Sequence, residues 1–539
     1  MASRSSSETA IASGLRNPQL MQAALALYDD RLADAEPLLR AHLKSDPFDV
    51  AAIRMMSELA ARVGRYRDAE NLLRRALELA PEFGAARANL ATLLYRQNRP
   101  LEALAELDTL AERDANGEPE TLGHNNLRAA TLGRIGEFEE ALRLYEAVLN
   151  QVPNQPRVWL SYGHMLKTVG RVDDGISAYR RTLELAPHMG EAWWSLANLK
   201  TVRFTAEDRT AMQRALETPG LNDEDRFHLD FALGKAFEDT KDLEPAFQHY
   251  AAANALRRRA LPYEAADTTA MVDAAIALYT ADFFAERQGF GCEAKDPVFV
   301  LGMPRAGSTL VEQILSSHSA VEGTSELAEI PLLARRFSSP ERVAELTADE
   351  LKALGEEYLK RTQVQRKSGR PLFIDKLPNN WAHVSFIHLI LPNATIIDAR
   401  RHPMSCCFSN FKQHFARGQG FTYGLDDLGR YYRDYVRLMD HVDRVMPGRV
   451  HRVIYERMVD ATEAETRALV TACGLDFEDA CLRFYETERA VRTPSSEQVR
   501  QPIFRGGTEA WQGFAPWLGP LEQALGPVLS AYPDAPEAF

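Results

Sequence analysis

The sequence predicts a multidomain protein, an all-α solenoid of helical hairpins followed by an α/β domain on a parallel sheet. Three observations carry this. Prolines recur 34 residues apart, at Pro47 and Pro81 and again at Pro153 and Pro187, within an Ala- and Leu-rich stretch at helical spacing. After Asp296, short apolar runs alternate with helical patterns, the order that yields a parallel sheet covered by helices on both faces. The stretch Val298 to Leu315 joins the two themes as strand, glycine-bearing turn and helix.

Taken in order, residues 1–16 are small and polar without an apolar core, so a disordered tail is expected and not a signal peptide. Residues 17–259 read as the repeat array. Gly64-Arg-Tyr-Arg-Asp-Ala69, Asn98-Arg-Pro-Leu-Glu-Ala103, Gly136-Glu-Phe-Glu-Glu-Ala141 and Gly170-Arg-Val-Asp-Asp-Gly175 look alike, and Trp159 and Trp193 are again 34 apart. Glycine lets the chain turn between helices, the small residue five on lets helices approach, and the proline closes the unit. A looser unit falls near residues 95–118. This period resembles the tetratricopeptide repeat. Such arrays expose a concave surface that usually takes a peptide or partner; the alternative is packing on the second half or on another copy, as in a homodimer. Trp159, Tyr162, Trp193 and Trp194 read as packing residues, and Arg257-Arg258-Arg259 as a solvated helix end. Residues 260–295 are expected to be a helical linker.

Composition narrows the function. With 45% hydrophobic and 26% charged residues the chain is that of a soluble globular protein. A net charge of -13 argues against nucleic-acid partners, so an anionic substrate must be met by local Arg and Lys. No run approaches the roughly 20 apolar residues of a membrane span. The five cysteines, Cys292, Cys406, Cys407, Cys473 and Cys481, lack metal-ligand spacing, and His318, His383, His388 and His402 are scattered; we expect no metal site, reduced thiols and a cytoplasmic setting.

In the second half, residues 296–539, candidate strands are Val298–Leu301, Leu372–Ile374, Thr395–Ala399 and Val450–Tyr455. Candidate helices are about 309–317, 325–336, 348–362, 379–391, 404–415, 425–446, 463–472 and 477–486. Ligands of such sheets bind beyond the carboxyl ends of the strands, where Arg305, Asp375, Lys376, Arg400 and Arg401 fall. Gly302 and Gly307 stand five apart, as in the phosphate loop Gly-x-x-x-x-Gly-Lys-[Ser/Thr], but the lysine is missing and Arg305 sits inside the loop. The loop is expected to hold a phosphate, though not in the manner of a magnesium-dependent ATPase. Ser308 and Thr309 would also suit an ordinary helix start.

Pro304-Arg-Ala-Gly-Ser-Thr-Leu310, then Glu326, then Ile396-Ile-Asp-Ala-Arg-Arg401 with Ser409, resembles the sulfotransferases that use 3′-phosphoadenosine-5′-phosphosulfate (PAPS). The spacing from Arg305 to Glu326 is most similar to the tyrosylprotein sulfotransferase branch, and the combination with repeats resembles bacterial tetratricopeptide–sulfotransferase proteins. The resemblance covers about residues 296–520 and much of the array. It implies a P-loop-like sulfotransferase domain, with PAPS as sulfonate donor and no metal. It implies that Arg305, Ala306, Gly307, Ser308 and Thr309 cradle the 5′-phosphosulfate, that Glu326 is the general base, and that Lys376 with Arg305 supports the leaving phosphate. It assigns Arg401 and Ser409 to the 3′-phosphate, Tyr455 to the nucleotide, and Ser495 to a late loop that closes over it. Asp375 is expected to be a structural neighbour and Arg400 to make a salt bridge. Asn380 is open between helix cap and hydroxyl partner, and Glu326 could be a first-turn carboxylate.

Two positions depart from the family pattern. Ala510, not lysine, precedes Trp511, leaving Arg500 or Arg505 as substitutes, and Gln413 stands where a basic residue is expected, with Lys412 adjacent. The resemblance implies transfer of a sulfonate to an acceptor hydroxyl, of a protein tyrosine, a saccharide or a small molecule. The alternative is a repeat scaffold whose domain binds nucleotide without turnover.

Overall fold

A computed structural model describes residues 17–113, 119–337, 339–415, 419–503 and 508–539. The expected tail over 1–16, the end of the looser repeat and Arg505 lie outside the described residues. Contacts divide the chain into two units, residues 1–165 and 166–539.

The first unit is helical throughout its described residues, running through hairpins such as Val50–Arg62 with Tyr66–Leu79 and Gly84–Arg96 with Pro100–Arg113. The repeat spacing has a backbone cause. Gly64 and Gly136 turn the chain between helices with φ of 79° and 86°, and Asn98 adopts the same left-handed conformation at 60°. Five residues after each, Ala69, Ala103 and Ala141 are fully buried where helices approach. The prolines do more than end helices. Pro81 O accepts from Arg87 and Pro153 O accepts from the Trp159 indole, each six residues on, so a carbonyl freed by the turn is satisfied by the next helix.

The second unit opens with the same architecture. Gly170 has φ of 91°, and Pro187 O accepts from Trp193 Nε1 at 3.0 Å. Helices Val172–Leu185, Gly190–Asn198, Ala206–Leu216, Asp223–Asp239 and Leu243–Ala260 follow, then Ala265–Leu278. Arg257-Arg258-Arg259 is not simply solvated: Arg258 pairs with Asp427 at 2.8 Å and Arg257 lies over the rings of Phe227 and Tyr423.

Beyond it lies a five-stranded sheet, β1 (Pro297–Gly302), β2 (Val321–Gly323), β3 (Leu372–Asp375), β4 (Thr395–Arg400) and β5 (Val450–Ile454), in the order β2-β3-β1-β4-β5 and parallel throughout. Every residue of the central β1 is buried, as a strand covered on both faces requires. Strand β2 was not legible: three residues with a charged Glu322 in the middle carry no periodic signal. Other boundaries shift. Tyr455 begins a helix (Tyr455–Asp460) instead of ending a strand, 379–391 divides into a 3₁₀ turn (Pro378–His383) and a helix (Val384–Ile390), and 477–486 holds only two short 3₁₀ turns. The helix expected from 325 starts at Glu329, so Glu326 lies in the preceding loop and is not a first-turn carboxylate.

Candidate active site

The loop after β1 is built to leave amides free. Gly302 (φ 131°) lies so close to β4 that a Cβ there would sit 2.3 Å from Ala399 O, and Gly307 (φ 102°) is pressed against the Tyr455 ring. Arg305 also takes a left-handed φ of 66°, a conformation costly for a residue with a side chain. Pro304 O holds the turn in place, accepting from Asn410 Nδ2 at 2.7 Å and from the Cys406 thiol. Helix Ser308–Ser316 follows directly, and no side chain caps its start. Gly307, Ser308 and Thr309 line one cavity at this helix start, an arrangement suited to an anion, and the Thr309 hydroxyl also meets that of Thr493 at 3.3 Å.

Glu326 and Lys376 meet beside this loop. The ammonium of Lys376, from the residue after β3, donates to Glu326 Oε1 at 2.6 Å; its side chain is 1% exposed and that of Glu326 43%. The carboxylate is held by its neighbours. Ser325, at φ 76°, donates its amide to the buried Glu312 and accepts from the Lys376 amide at 3.1 Å. Arg489 fixes Glu312 in turn at 3.1 Å. Neither Glu312 nor Arg489 was singled out in the sequence, since a charged residue within a helical pattern reads as solvent-facing; only its place one turn into the loop helix marks Glu312.

A second polar corner forms around Arg305. Its Nε donates to Ser409 Oγ at 3.2 Å, one terminal nitrogen to Ser495 Oγ at 2.5 Å and the other to Gln498. Arg401 donates to Arg305 O at 3.2 Å and lies 4.8 Å over the Tyr455 ring. Burial, and then the nearby Arg401 charge, push the Arg305 guanidinium down to about 10. The fold brings Arg305, Ser409, Ser495, Arg401 and Tyr455 together, with Arg305 in the Ser409 and Ser495 corner as well as in the loop.

Arg305, Ser308, Thr309, Glu326, Lys376, Arg401, Ser409, Tyr455 and Ser495 line one cavity of about 670 Å³, and Glu312 and Arg489 stand behind it. Seven of its described lining residues are Lys or Arg and three are Glu, so a chain of net charge -13 concentrates positive charge here. Tyr455, Phe484, Val499, Ile503 and Trp511 supply apolar and aromatic lining, suited to the faces of a purine. One wall was missed altogether. Trp194, Lys200, Arg203, Lys235 and Glu238 come from the helices before Ala260 and reach the cavity. Trp194, expected only to pack, is buried and does both. Lys412 pairs with Glu238 at 2.5 Å, and Gln413, beside it, is buried and lines the cavity.

Residues 297–479 match the family model described as Sulfotransferase family, and residues 60–122 match Tetratricopeptide repeat. The chain carries a sulfotransferase family domain. It is 28% identical over 518 residues to an uncharacterized protein of Aquifex aeolicus, spanning 92% of this chain and 67% of that one. It is 31% identical over 210 residues to Cellulose synthase operon protein C of Pseudomonas fluorescens, spanning 37% of this chain and 16% of that protein. Among solved structures, Pseudomonas aeruginosa pilF matches at 18% identity over 40% of this chain and 95% of its own (TM-score 0.33), and YrrB, a TPR protein, at 19% over 36% and 98% (TM-score 0.28).

Around the sulfotransferase domain's cavity the remaining sequence candidates fall outside the site. Asp375 is buried at the end of β3, accepts from Tyr358 at 2.9 Å and has its carboxyl pushed up by burial. Arg400 makes the expected salt bridge, to Asp398 at 3.1 Å. Asn380 is buried, neither caps its 3₁₀ turn nor lines the cavity, and its side-chain amide makes no hydrogen bond. Arg500 donates to Thr168 O and Arg489 O and does not line the cavity. In the repeats, His42, Asp46 and Asp49 bring ligand atoms within 4.8 Å, but Asp49 is already used, capping the helix at Val50 and bonding His42. No helix among the described residues is long and apolar enough to cross a membrane.

Proposed function

We propose that this chain transfers a sulfonate group from PAPS to an acceptor hydroxyl. The observation that carries the reading is the convergence, in one cationic cavity, of an uncapped helix start, a buried lysine paired with a carboxylate, and a corner of Arg305, Ser409 and Ser495. Two anion-holding places beside an aromatic wall fit a nucleotide with charge at both its 5′ and 3′ positions. When bound, the donor supplies an activated sulfonate. Arg305, Gly307, Ser308 and Thr309 hold its 5′ end through amides, hydroxyls and the guanidinium; Ala306, whose amide already donates to Met303 O at 3.2 Å and which does not line the cavity, serves the turn instead.

Lys376 brings a fixed ammonium to the oxygen that gains charge as the donor's S–O bond breaks. Glu326, partly exposed and in reach of Lys376, takes the proton from the acceptor oxygen. Arg401, Ser409 and Ser495 bind the 3′-phosphate and Tyr455 the nucleotide. Protein tyrosine is the acceptor class we favour, because repeats of this kind offer a surface for a peptide. The test is release of adenosine 3′,5′-bisphosphate from PAPS in the presence of tyrosine peptides, saccharides or phenols. Turnover with a tyrosine peptide supports both donor and acceptor. Turnover with a saccharide alone moves the acceptor, and no turnover with any acceptor refutes the reading.

A further inference from the structure

Lys200 stands apart from the other lysines of the cavity. Lys412 pairs with Glu238, Lys376 with Glu326, and Lys235 and Arg203 with Asp239. Lys200 pairs with no carboxylate among the described residues. It follows the helix Gly190–Asn198 in a left-handed conformation, φ 64°, that throws its side chain across to the late loop, where its ammonium donates to Pro494 O at 3.2 Å. The next residue, Ser495, holds Arg305, and Arg305 also holds Ser409. Lys200 and Arg305, both without a carboxylate among the described residues, thus hold adjacent residues of the late loop, Pro494 and Ser495, at one end of the cavity. Burial and then the charge of Arg305 press the Lys200 ammonium well below its ordinary range, as expected of cations crowded together with no anion between them.

We propose that Lys200, a residue of the helical repeats, binds the phosphomonoester at the donor's 3′ position directly, so that the repeats supply part of the nucleotide site. This rests on the donor reading above. The loop at Ser308 and Thr309 takes one anionic group; the corner of Lys200, Arg305, Ser409 and Ser495 takes the second. A dianionic phosphate there relieves the repulsion between the two cations and gains a charge-assisted hydrogen bond from Lys200.

Calorimetric titration of the full chain with adenosine 3′,5′-bisphosphate and with adenosine 5′-monophosphate tests this. The wild type should prefer the bisphosphate. Lys200→Ala should weaken the bisphosphate by about 10- to 100-fold, the worth of one such bond, and leave the monophosphate within about threefold. Lys200→Arg should restore most of the loss, and Lys200→Gly, which suits the left-handed backbone, should behave like the alanine variant. Equal weakening of both nucleotides would mean that Lys200 only tethers the late loop, and would overturn the proposal, as would no weakening at all. If the wild type binds neither nucleotide, the donor reading itself fails and this inference with it.

Discussion

Replacing Glu326 by glutamine separates the two things that the carboxylate does. It accepts a 2.6 Å bond from Lys376, and in the proposed reaction it takes a proton. Glutamine has the same shape and can still accept the Lys376 bond, but it cannot serve as the base. The stability cost should be small. Lys376 is buried and keeps a hydrogen-bond partner, and the Glu326 side chain is 43% exposed, so water already screens the pair. A loss of about 1 kcal/mol is the expected scale for such a pair. The kinetic cost should be far larger, about 10²- to 10⁴-fold in kcat, or about 3–5 kcal/mol of barrier. Donor affinity should hold or rise, because the Lys376 ammonium no longer shares its charge with a carboxylate. The assay is steady-state release of adenosine 3′,5′-bisphosphate at saturating PAPS, alongside calorimetric binding and thermal unfolding. A glutamine variant whose kcat stays within threefold of wild type would refute the base assignment. One that loses affinity and rate by the same factor would show that Glu326 serves binding instead.

Three further outcomes are expected. Gly307→Ala adds a Cβ 2.7 Å from Tyr455 Cδ2 at a φ of 102°, so donor affinity should fall at least tenfold and stability by about 1–2 kcal/mol, read by calorimetry and thermal unfolding. Glu312→Gln weakens the anchor of the Ser325 amide and should lower kcat about tenfold with KM for the donor little changed, as a positioning residue requires; a change confined to melting temperature would refute it. Burial pushes His383 and His388 down to about 4, so the folded chain keeps them neutral where the unfolded chain, below about 6.5, binds protons. Stability is therefore full above pH 6.5 and declines as pH falls toward 4; replacing both histidines by glutamine should flatten that decline in urea unfolding series.

Much of this was readable because each signal was local. The repeat is set by turns at Gly64 and Asn98, and at Gly136 and Gly170, each pair 34 apart, that take a left-handed residue, and by small residues five positions later. Strand, glycine turn and helix at 298–315 were each legible, and Lys376 and Arg401 stood where chains leave parallel strands. What stayed hidden depends on residues far apart in the chain. Nothing near Lys200 in sequence announces Pro494, 294 positions on. Glu312 looks like a surface residue until Arg489 and the Ser325 amide are brought to it. Strand β2 is a strand because β3 lies beside it, not because of its own residues.

The same distinction explains why the repeats before Ala260 cannot be treated as an appendage to the cavity. The late loop carrying Ser495 is pinned from that side: Val491 donates its amide to Thr168 O at 3.0 Å, Arg500 reaches the same carbonyl, and Lys200 holds Pro494 O. The segment after Ser409 is pinned there too. Asn254 donates to Phe411 O at 2.8 Å, Lys412 pairs with Glu238, and the His414 ring sits among Trp194, Phe227 and Phe231, with burial pushing it down to about 2 so that it stays neutral. Ser409 and Ser495 both contact Arg305, and both belong to segments whose backbone is fixed by these helices. The geometry of the Arg305 corner is therefore set jointly by residues 166–260 and by the sheet. That is why contacts group residues 166–539 as one unit although the repeat pattern runs on to about residue 259.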